Sequence, residues 1–408
     1  MRILHTSDWH LGKNLEGYSR LDEQAAFIEE LIEIIDDKNI DMVIISGDVY
    51  DTGNPPAKAE QLFYSAIRRI SNGGKRPVLI IAGNHDNPDR LSAPSPLAYE
   101  QGIILLGTPK SVAQVGDYPY YRIVDAGEGY IEIELNREKL VALTLPYPSE
   151  KRLNEIISID MDERERQKSY SQRIGQLFEH LSSKYRQDTI NIAVGHLFMV
   201  GGEETDSERP IQLGGSLAVE PSVLPKNAQY VALGHLHRPQ RVKGTEVEAY
   251  YSGSPIQYSK SEISYSKCLY IVDVCAGEKA KIEEVYLKNY KPIEVWRCES
   301  IEEAMEKCRE NSQRNLWVYL EIKTERVLLQ SEIKELRRLK QDIVEILPIF
   351  STHEKEEEAI DSIKEKSIDT LFKEFYIHQR QVEPTEEMME LFLSVMMGEE
   401  DEDAAEEA

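Results

Sequence analysis

Five short clusters of polar residues contain five of the nine histidines in this sequence, together with aspartates and an asparagine that could bind a metal ion or act on a phosphate. The chain has nine histidines, and seven of them precede residue 238. Five of these seven lie inside the clusters, beside Gly, Asp or Asn. This concentration indicates a common site. The clusters are Asp8-Trp9-His10, Gly47-Asp48-Val49-Tyr50-Asp51, Gly83-Asn84-His85-Asp86, Gly195-His196 and Gly234-His235-Leu236-His237.

The residue types in these clusters favour a pair of divalent cations. Carboxylate, amide-oxygen and imidazole ligands together suit Mn, Fe or Zn better than the all-oxygen shells that Mg and Ca prefer, and we predict Mn²⁺. A single carboxylate, Asp48, can bridge two ions about 3.5 to 4 Å apart, the separation at which both act on one phosphoryl group. Gly47 lets backbone and metal approach closely. Any one cluster alone could be structural, but the ordered set of five predicts two-metal hydrolysis of a phosphoester.

Short apolar segments precede the clusters and read as β-strands, at residues 2–6, 42–46, 78–82, 190–194 and 230–233. Between the first two, apolar residues from Ala25 to Ile35 recur on one helical face. Sheets of this kind bind ligands at the carboxyl ends of their strands, so clusters far apart in sequence can converge. Between Val247 and Val274 the pattern predicts antiparallel strands. The predicted fold is of the α+β class, with two packed sheets between outer helices in an α-β-β-α order.

The chain changes character after residue 290, where the first predicted domain (1–290) ends. Residues 291–353 read as strand, helix, strand, helix, strand, a small α/β capping domain without a catalytic cluster. A charged linker (354–366), two amphipathic helices (367–397) and an acidic disordered tail (398–408) follow. The apolar faces of the two helices could pack on the core or dock on a partner protein. We predict that they dock on a partner. The predicted partner-binding residues are Ile368, Leu371, Phe372, Phe375, Leu391 and Phe392.

The ordered clusters resemble those of the calcineurin-like metallophosphoesterases, a family with a helix-flanked β-sandwich and a two-metal centre. Two further phrases resemble its DNA-nuclease branch rather than the phosphoprotein phosphatases. The similarity covers residues 1–290, and beyond them it is one of layout only. The phrases are Ser207-Glu208-Arg209-Pro210, with Gly214-Gly215 just beyond, and Tyr251-Ser252-Gly253-Ser254-Pro255-Ile256-Gln257-Tyr258-Ser259.

The resemblance implies a double-strand exonuclease and a hairpin or single-strand endonuclease of DNA repair, recombination and replication. It also implies a coiled-coil ATPase partner, held by the terminal helices, and a homodimer within a heterotetramer. An alternative is a phosphomonoesterase or cyclic-nucleotide phosphodiesterase of the same superfamily. A second alternative is a non-catalytic scaffold whose metal site serves folding.

The family's roles can be transferred to the matching positions. One metal would take Asp8, His10, Asp48 and His237, and the other would take Asp48, Asn84, His196 and His235. His85 would protonate the leaving oxygen or stabilise its developing charge, with Asp51 orienting the imidazole. The alternative for His85 is a further metal ligand.

Other polar residues near the clusters are predicted with less support from the pattern. Lys13, Asn14, Tyr18 and Arg20 follow the first cluster and could contact a DNA backbone, as could Arg90 after the third, although such loops are commonly only solvated. Trp9 is predicted to pack behind its neighbouring ligands.

The charge of the chain argues against tight DNA binding by this chain alone. The formal net charge is -25, and residues 354–408 carry 19 acidic and 5 basic residues, so 14 of the 25 negative charges lie there. A basic surface is what ordinarily gives a DNA-binding protein its affinity, so we expect the partner to supply it. No apolar run approaches the roughly 20 residues of a membrane helix, and no secretory signal is evident, which predicts a cytoplasmic protein.

Overall fold

We describe a computed structural model of the chain for residues 1–153, 163–208 and 217–350, and for the short pieces 371–373, 384, 388–389 and 392. Contacts divide the chain into two units. The first is Met1–Ile322 with Leu329–Leu347, and the second is Lys323–Leu328 with Pro348–Ala408.

Nineteen strands and eight α-helices lie within the described ranges. The helices are α1 (Leu21–Asp37), α2 (Ala57–Ser71), α3 (Pro88–Ser92), α4 (Ser95–Ala98), α5 (Glu150–Leu153), α6 (Glu163–Leu181), α7 (Ile301–Glu310) and α8 (Gln330–Leu339). The strands are β1 (Arg2–Thr6), β2 (Asn14–Leu15), β3 (Tyr18–Ser19), β4 (Met42–Ile45), β5 (Val78–Ile81), β6 (Ile103–Leu106), β7 (Gly116–Asp117), β8 (Tyr121–Gly127), β9 (Tyr130–Leu135), β10 (Glu138–Leu145), β11 (Ile190–His196), β12 (Tyr230–Gly234), β13 (Gln240–Arg241), β14 (Ala249–Tyr251), β15 (Cys268–Asp273), β16 (Lys281–Tyr286), β17 (Ile293–Cys298), β18 (Trp317–Thr324) and β19 (Ile343–Phe350).

Two large sheets carry the clusters. The first has the strand order β16-β15-β1-β4-β5-β6, and the second has the order β13-β14-β12-β11-β10-β9-β8-β7. Strands β1, β4, β5 and β6 are parallel, as are β10, β11, β12 and β14. The first, second, third, fourth and fifth clusters therefore lie at or just beyond the carboxyl ends of β1, β4, β5, β11 and β12.

One prediction about strand direction is wrong in part. Strand β15 is antiparallel to β1, as expected for the 247–274 region. Strand β14, however, pairs in parallel with β12 and is antiparallel only to the short β13. Side-chain alternation reports which residues face a core, but it does not distinguish parallel from antiparallel neighbours when one strand has only three residues.

Alternating side chains place the two sheets face to face and put helices on their outer faces. In β1, Ile3 points into a core shared by both sheets, while Leu4 points into a second core beneath α1 and α2. In β10, Leu140 joins the shared core and Val141 joins a third core beneath α6. Because side chains alternate along a strand, each sheet packs on both faces. The α-β-β-α arrangement predicted from the sequence is confirmed.

A three-stranded sheet in the order β17-β18-β19, with α7 and α8, follows the two large sheets. Its Trp317 and Tyr319 pack with Leu15 of the β2–β3 hairpin. The indole nitrogen of Trp317 donates to Glu23 over 3.0 Å. The order of these elements is the one expected for the capping region, while the domain limits at 290 and 353 remain predictions.

Three of the six predicted partner-binding residues lie within the described chain. Leu371, Phe372 and Phe392 are half-buried. The rings of Phe372 and Phe392 stack, with centroids 3.9 Å apart and planes 6° from parallel. Each of the two predicted helical segments therefore contributes one ring to this contact. Ile368, Phe375 and Leu391 lie outside the described residues, as do the predicted linker and tail.

Candidate metal centre

Three of the predicted ligands, Asp8, His10 and His237, lie together just beyond β1 and β12, and we call them the His237 half of the site. Their ligand atoms are all within 4.8 Å of one another. Nε2 of His10 and Nε2 of His237 are 3.0 Å apart. All three residues are at most 1% exposed. One buried carboxylate beside two imidazoles is a donor set that fits Mn, Fe or Zn.

Three other predicted ligands, Asn84, His196 and His235, form the second group, which we call the His196 half. The amide oxygen of Asn84 lies 2.9 Å from Nε2 of His196 and 3.1 Å from Nδ1 of His235. Nδ1 of His196 donates to the carbonyl oxygen of Ser46 over 2.9 Å. In the neutral ring this hydrogen bond fixes the tautomer, so Nε2 then carries the lone pair that faces the site.

Asp48 stands between the two halves. Its Oδ2 is 3.6 Å from Nε2 of His10 and 3.4 Å from Nε2 of His196. Its Oδ1 accepts a hydrogen bond from the backbone N–H of His85 over 2.9 Å. One carboxylate oxygen therefore faces both halves, as a bridging ligand requires, and the residues present fit a dimetal site.

The backbone at several of these ligands is strained. Four of them have positive φ angles, a region that residues other than glycine rarely adopt. The angles are +52° at Asp8, +44° at His10, +49° at Asp48 and +115° at His235. Such conformations persist only where the surrounding structure holds them, and they concentrate at functional sites. The strain is shared by both halves and by the carboxylate between them.

Three glycines let the segments of the site approach closely. A Cβ atom added at Gly47 would overlap the His196 ring, and one added at Gly83 would overlap the Asp48 carboxylate. At Gly234 it would overlap the Ser46 carbonyl and lie 2.9 Å from Nδ1 of His196. The His196 half is therefore packed against main chain with no room for a side chain at these positions.

His85 lies beside this centre and contacts Asp51, the residue predicted to orient it, through the main chain. Its ring is 4.6 Å from that of His10, with the planes at 88°. Nδ1 of His85 hydrogen-bonds to the backbone carbonyl of Asp51 over 2.6 Å, whereas the Asp51 carboxylate is 3.9 Å away. That carboxylate instead lies 2.8 Å from Lys13 and 3.4 Å from Nδ1 of His10. The backbone carbonyl of Asp51 thus contacts the His85 ring, while the Asp51 carboxylate lies beside Lys13 and His10.

Comparison with known proteins agrees with this geometry. The profile of the calcineurin-like phosphoesterases matches residues 1–239, a range that contains every predicted ligand. The SbcD subunit of the nuclease SbcCD of Bacillus subtilis strain 168 is 46% identical over 406 residues, which cover 99% of this chain and all of that protein. A protein of the same name from Staphylococcus epidermidis ATCC 12228 is 27% identical over 377 residues, 92% of each chain.

The chain belongs to the SbcD family of calcineurin-like phosphoesterases. The family and fold predicted from the sequence are confirmed. A second profile, that of the type 5 capsule protein repressor C-terminal domain, matches residues 289–380. Among solved structures, TT1561 of Thermus thermophilus aligns with a TM-score of 0.38 and 13% identity, covering 70% of this chain and 99% of that one. No helix of the described residues has the length and apolarity to cross a bilayer.

The electrostatics of this SbcD-family site depend on burial and on a few opposed charges. Burial lowers the pKa of His10 to about 3 and lowers that of His235 well below its ordinary value. Burial alone would also lower the pKa of His196, but the Asp48 carboxylate raises it. Burial, with the nearby Asp48, raises the pKa of Asp8. Cation binding must therefore displace protons, and it should weaken in acid.

One of the residues predicted to contact DNA is not available to do so. Arg20 is 1% exposed, and its guanidinium forms a two-point contact with Glu23 and donates to the carbonyl of Gln257 over 2.6 Å. Its prediction as a DNA contact is wrong because the donors that would bind a phosphate are engaged inside the protein.

Of the other four predicted DNA contacts, Asn14 is exposed and stays a prediction, and three make polar contacts within the chain. Lys13 pairs with Asp51 near the centre. Tyr18 is half-buried and donates to the carbonyl of Ile343 over 3.2 Å. Arg90 is exposed and pairs with Glu60 at 2.9 Å. These three residues remain predictions.

Several residues that support the site were missed in the sequence. The buried Asp86 accepts hydrogen bonds from the backbone N–H groups of Val49, Tyr50 and Gly83, and so joins the second and third clusters. Its position beside His85 was the available signal. Arg152 donates to the carbonyls of Gly83 and Asp86, over 2.8 and 2.7 Å, and no sequence pattern pointed to it.

Proposed function

We propose that this chain is a two-metal-dependent DNA nuclease subunit that acts with an SbcC-type coiled-coil ATPase in DNA repair, recombination and replication. It cuts double-stranded ends as an exonuclease and hairpins or single strands as an endonuclease. We further propose Mn²⁺ as the metal, a homodimer within a heterotetramer as the assembly, and the cytoplasm as the location.

The observation that carries the proposal is the position of Asp48. Its Oδ2 lies within 3.6 Å of an imidazole nitrogen from each half, while its Oδ1 is tied to the N–H of His85. A carboxylate held in this way can be shared by two cations. Both cations and His85 would then address the same phosphoryl group, an arrangement that stabilises the attacking and leaving oxygens of an in-line displacement at phosphorus.

The chain's own residues would hold and orient the reacting groups. The ligands would be Asp8, His10, Asp48 and His237 for one ion, and Asp48, Asn84, His196 and His235 for the other. Two divalent ions there would supply positive charge to the phosphoryl oxygens and lower the pKa of water. His85, oriented by the Asp51 carbonyl, would protonate the leaving oxygen or stabilise its charge.

The relatives support a nuclease that is one subunit of a complex, and the family resemblance implies DNA as the substrate and an ATPase as the partner. The two relatives named above are nuclease subunits, and the first is similar over the whole chain. A net charge of -25 leaves this chain poorly suited to hold DNA alone. Dimerisation and the ATPase would supply affinity, with Lys13, Tyr18 and Arg90 as proposed local contacts. The stacked Phe372 and Phe392 support a paired-helix element for docking the partner.

A hairpin-cleavage assay tests the proposal. The chain, with and without the ATPase, is incubated with a DNA hairpin and Mn²⁺, then with chelator, and the Asp48→Ala variant is run in parallel. We expect Mn²⁺-dependent cleavage that chelator and Asp48→Ala both abolish, because the variant removes the oxygen that faces both halves.

Two other outcomes would contradict the proposal. Turnover of small phosphoesters without hairpin cleavage would support the phosphomonoesterase or cyclic-nucleotide phosphodiesterase. Metal uptake without hydrolysis of either substrate would indicate a scaffold. A His85→Gln variant that retained full cleavage would remove the role proposed for that imidazole.

A further inference from the structure

His237 is held by side chains at three of its atoms. Its backbone N–H donates to the carboxylate of Glu208 over 2.7 Å. Its backbone carbonyl accepts from the ammonium of Lys267 over 2.9 Å. Nδ1 of its ring is 2.5 Å from Oγ of Ser207.

A buried ion pair stands behind Ser207. Oγ of Ser207 is 2.5 Å from Oε1 of Glu262, whose other oxygen contacts the ammonium of Lys267. Glu262 is 0% exposed and Lys267 is 6% exposed. Lys267 also donates to Oγ of Ser254 over 2.7 Å. Removing either charge from water is costly. The contact between the two side chains and these hydrogen bonds offset that cost and hold the pair in place.

The directions of these hydrogen bonds select one tautomer of the imidazole. An ionised carboxylate such as Glu262 only accepts hydrogen bonds, so the Ser207 hydroxyl donates to it. The Ser207 oxygen must then accept the proton of His237 Nδ1–H. The lone pair is left on Nε2, the nitrogen that lies 3.0 Å from Nε2 of His10 inside the His237 half. A metal-binding imidazole is oriented in this way by a partner on its outer nitrogen.

We infer that Glu262, fixed by Lys267, is a positioning residue that acts through Ser207 to present Nε2 of His237 to one cation of the pair. The inference rests on the proposed two-metal function. It assigns a role to the Ser207-Glu208 phrase and to the loop that follows Tyr251, which the ligand clusters alone leave unexplained. The competing explanation is that Glu262 and Lys267 only stabilise their loop.

Cobalt titration of the metal-free, full-length chain separates these explanations without any DNA. Visible absorption of bound Co²⁺ reports ligand geometry, and calorimetry reports the number of sites and their affinities. The wild-type chain should take up two equivalents. Ser207→Ala, which leaves the Glu262–Lys267 pair in place, should weaken one of them by about 10- to 100-fold and change its spectrum, while the other is unaffected.

Two further variants sharpen the test. Glu262→Gln should weaken the same equivalent as Ser207→Ala. Ser207→Thr retains the hydroxyl and should restore most of the affinity. The control is Glu132→Gln, since Glu132 is a buried carboxylate on β9 paired at two points with Arg186, without a contact to the site. This control should lower the melting temperature at most and leave both equivalents as in wild type.

Each result decides for or against the inference. If Ser207→Ala binds two equivalents with wild-type affinities and spectrum, the inference is overturned. A lower melting temperature with an unchanged titration would likewise assign Glu262 a structural role only. A wild-type chain that takes up fewer than two equivalents would instead contradict the proposed function itself.

Discussion

The two halves of the metal centre are positioned by different parts of the protein. The His237 half is held by side chains, because Ser207, Lys267 and Glu208 contact His237 and Ser7 contacts Asp8. The His196 half is packed against main chain, with the Ser46 carbonyl on His196 and with close-packed glycines around it. The His196 half should therefore be sensitive to added volume, and the His237 half to the loss of single polar groups.

The largest effect should come from adding one methyl group to the His196 half. In Gly234→Ala the new Cβ would overlap the Ser46 carbonyl and crowd Nδ1 of His196. It would thereby break the hydrogen bond that orients the ring. Displacing a catalytic group by about 1 Å can cost on the order of 100-fold in rate, so we expect at least that loss of Mn²⁺-dependent DNA cleavage.

Gly195→Ala is the matched control for this variant. It precedes His196 directly, but its added Cβ would meet only the side chains of Leu197 and Leu233, at 3.4 and 3.6 Å, which are ordinary contacts. It should retain activity within a few-fold of wild type. Circular dichroism would establish that both variants are folded. Equal activity of Gly234→Ala and wild type would contradict the main-chain account of this half.

The sequence predicted the convergence of the site because its causes are local. Apolar runs define the strands, and parallel strands present their carboxyl ends on one side. Asp8, Asp48, Asn84, His196 and His235 each follow such a run, so their meeting could be anticipated without knowing any contact between them.

The supporting residues could not be predicted because they depend on contacts that form only in the folded chain. Glu262 lies 55 positions after Ser207 and outside every cluster. Arg20 lies in a polar loop beside ligands, which predicts a solvated cation. Its partners, Glu23 and the carbonyl of Gln257, draw it inside instead. Asp51 shows the same limit, because a sequence does not reveal whether a carboxylate or a backbone carbonyl will meet His85.

A smaller effect is expected from removing one hydroxyl in the His237 half. Oγ of Ser252 is 2.8 Å from Oγ of Ser7. The Ser7 hydroxyl in turn donates to Oδ2 of Asp8 over 2.5 Å. Ser252→Ala removes the outer member of this chain, so Asp8 should be less firmly oriented. Loss of such a supporting group costs about 10- to 100-fold in metal affinity, and we expect the lower end of this range for a group two steps from the metal.

Mn²⁺ dependence of cleavage measures this change. The metal concentration for half-maximal rate should rise for Ser252→Ala, while the rate at saturating Mn²⁺ stays near wild type. Ser71→Ala is the control, since Ser71 is equally buried and bonds only to the carbonyl of Arg68 on α2. Identical metal dependence of all three proteins would show that the Ser252 hydroxyl does not help to position Asp8.

The smallest effect should come from a buried histidine that belongs to neither half. His5 lies on β1, three positions before Asp8, and is 0% exposed. Both of its ring nitrogens meet hydroxyl groups, Nδ1 that of Tyr230 at 2.9 Å and Nε2 that of Ser46 at 2.8 Å. The ligand histidines instead keep one nitrogen directed at the site. His5→Gln should therefore leave metal uptake and cleavage near wild type and alter only the pH dependence of stability.

The sign of that pH dependence follows from burial, which lowers the pKa of His5 from 6.5 to about 3. Between these values the unfolded chain binds a proton that the folded chain excludes. The stability contributed by neutral His5 is thus fully present above pH 6.5 and is lost as pH falls toward 3. The free energy of unfolding is measured with urea, in the presence of chelator, between pH 6.5 and 4.5. Its slope against pH should be smaller in His5→Gln by up to about 1.4 kcal/mol per pH unit. Parallel curves for the two proteins would mean that His5 already carries its proton when folded. Only its position in the chain would then distinguish His5, a hydrogen-bonded core histidine, from the predicted ligand histidines.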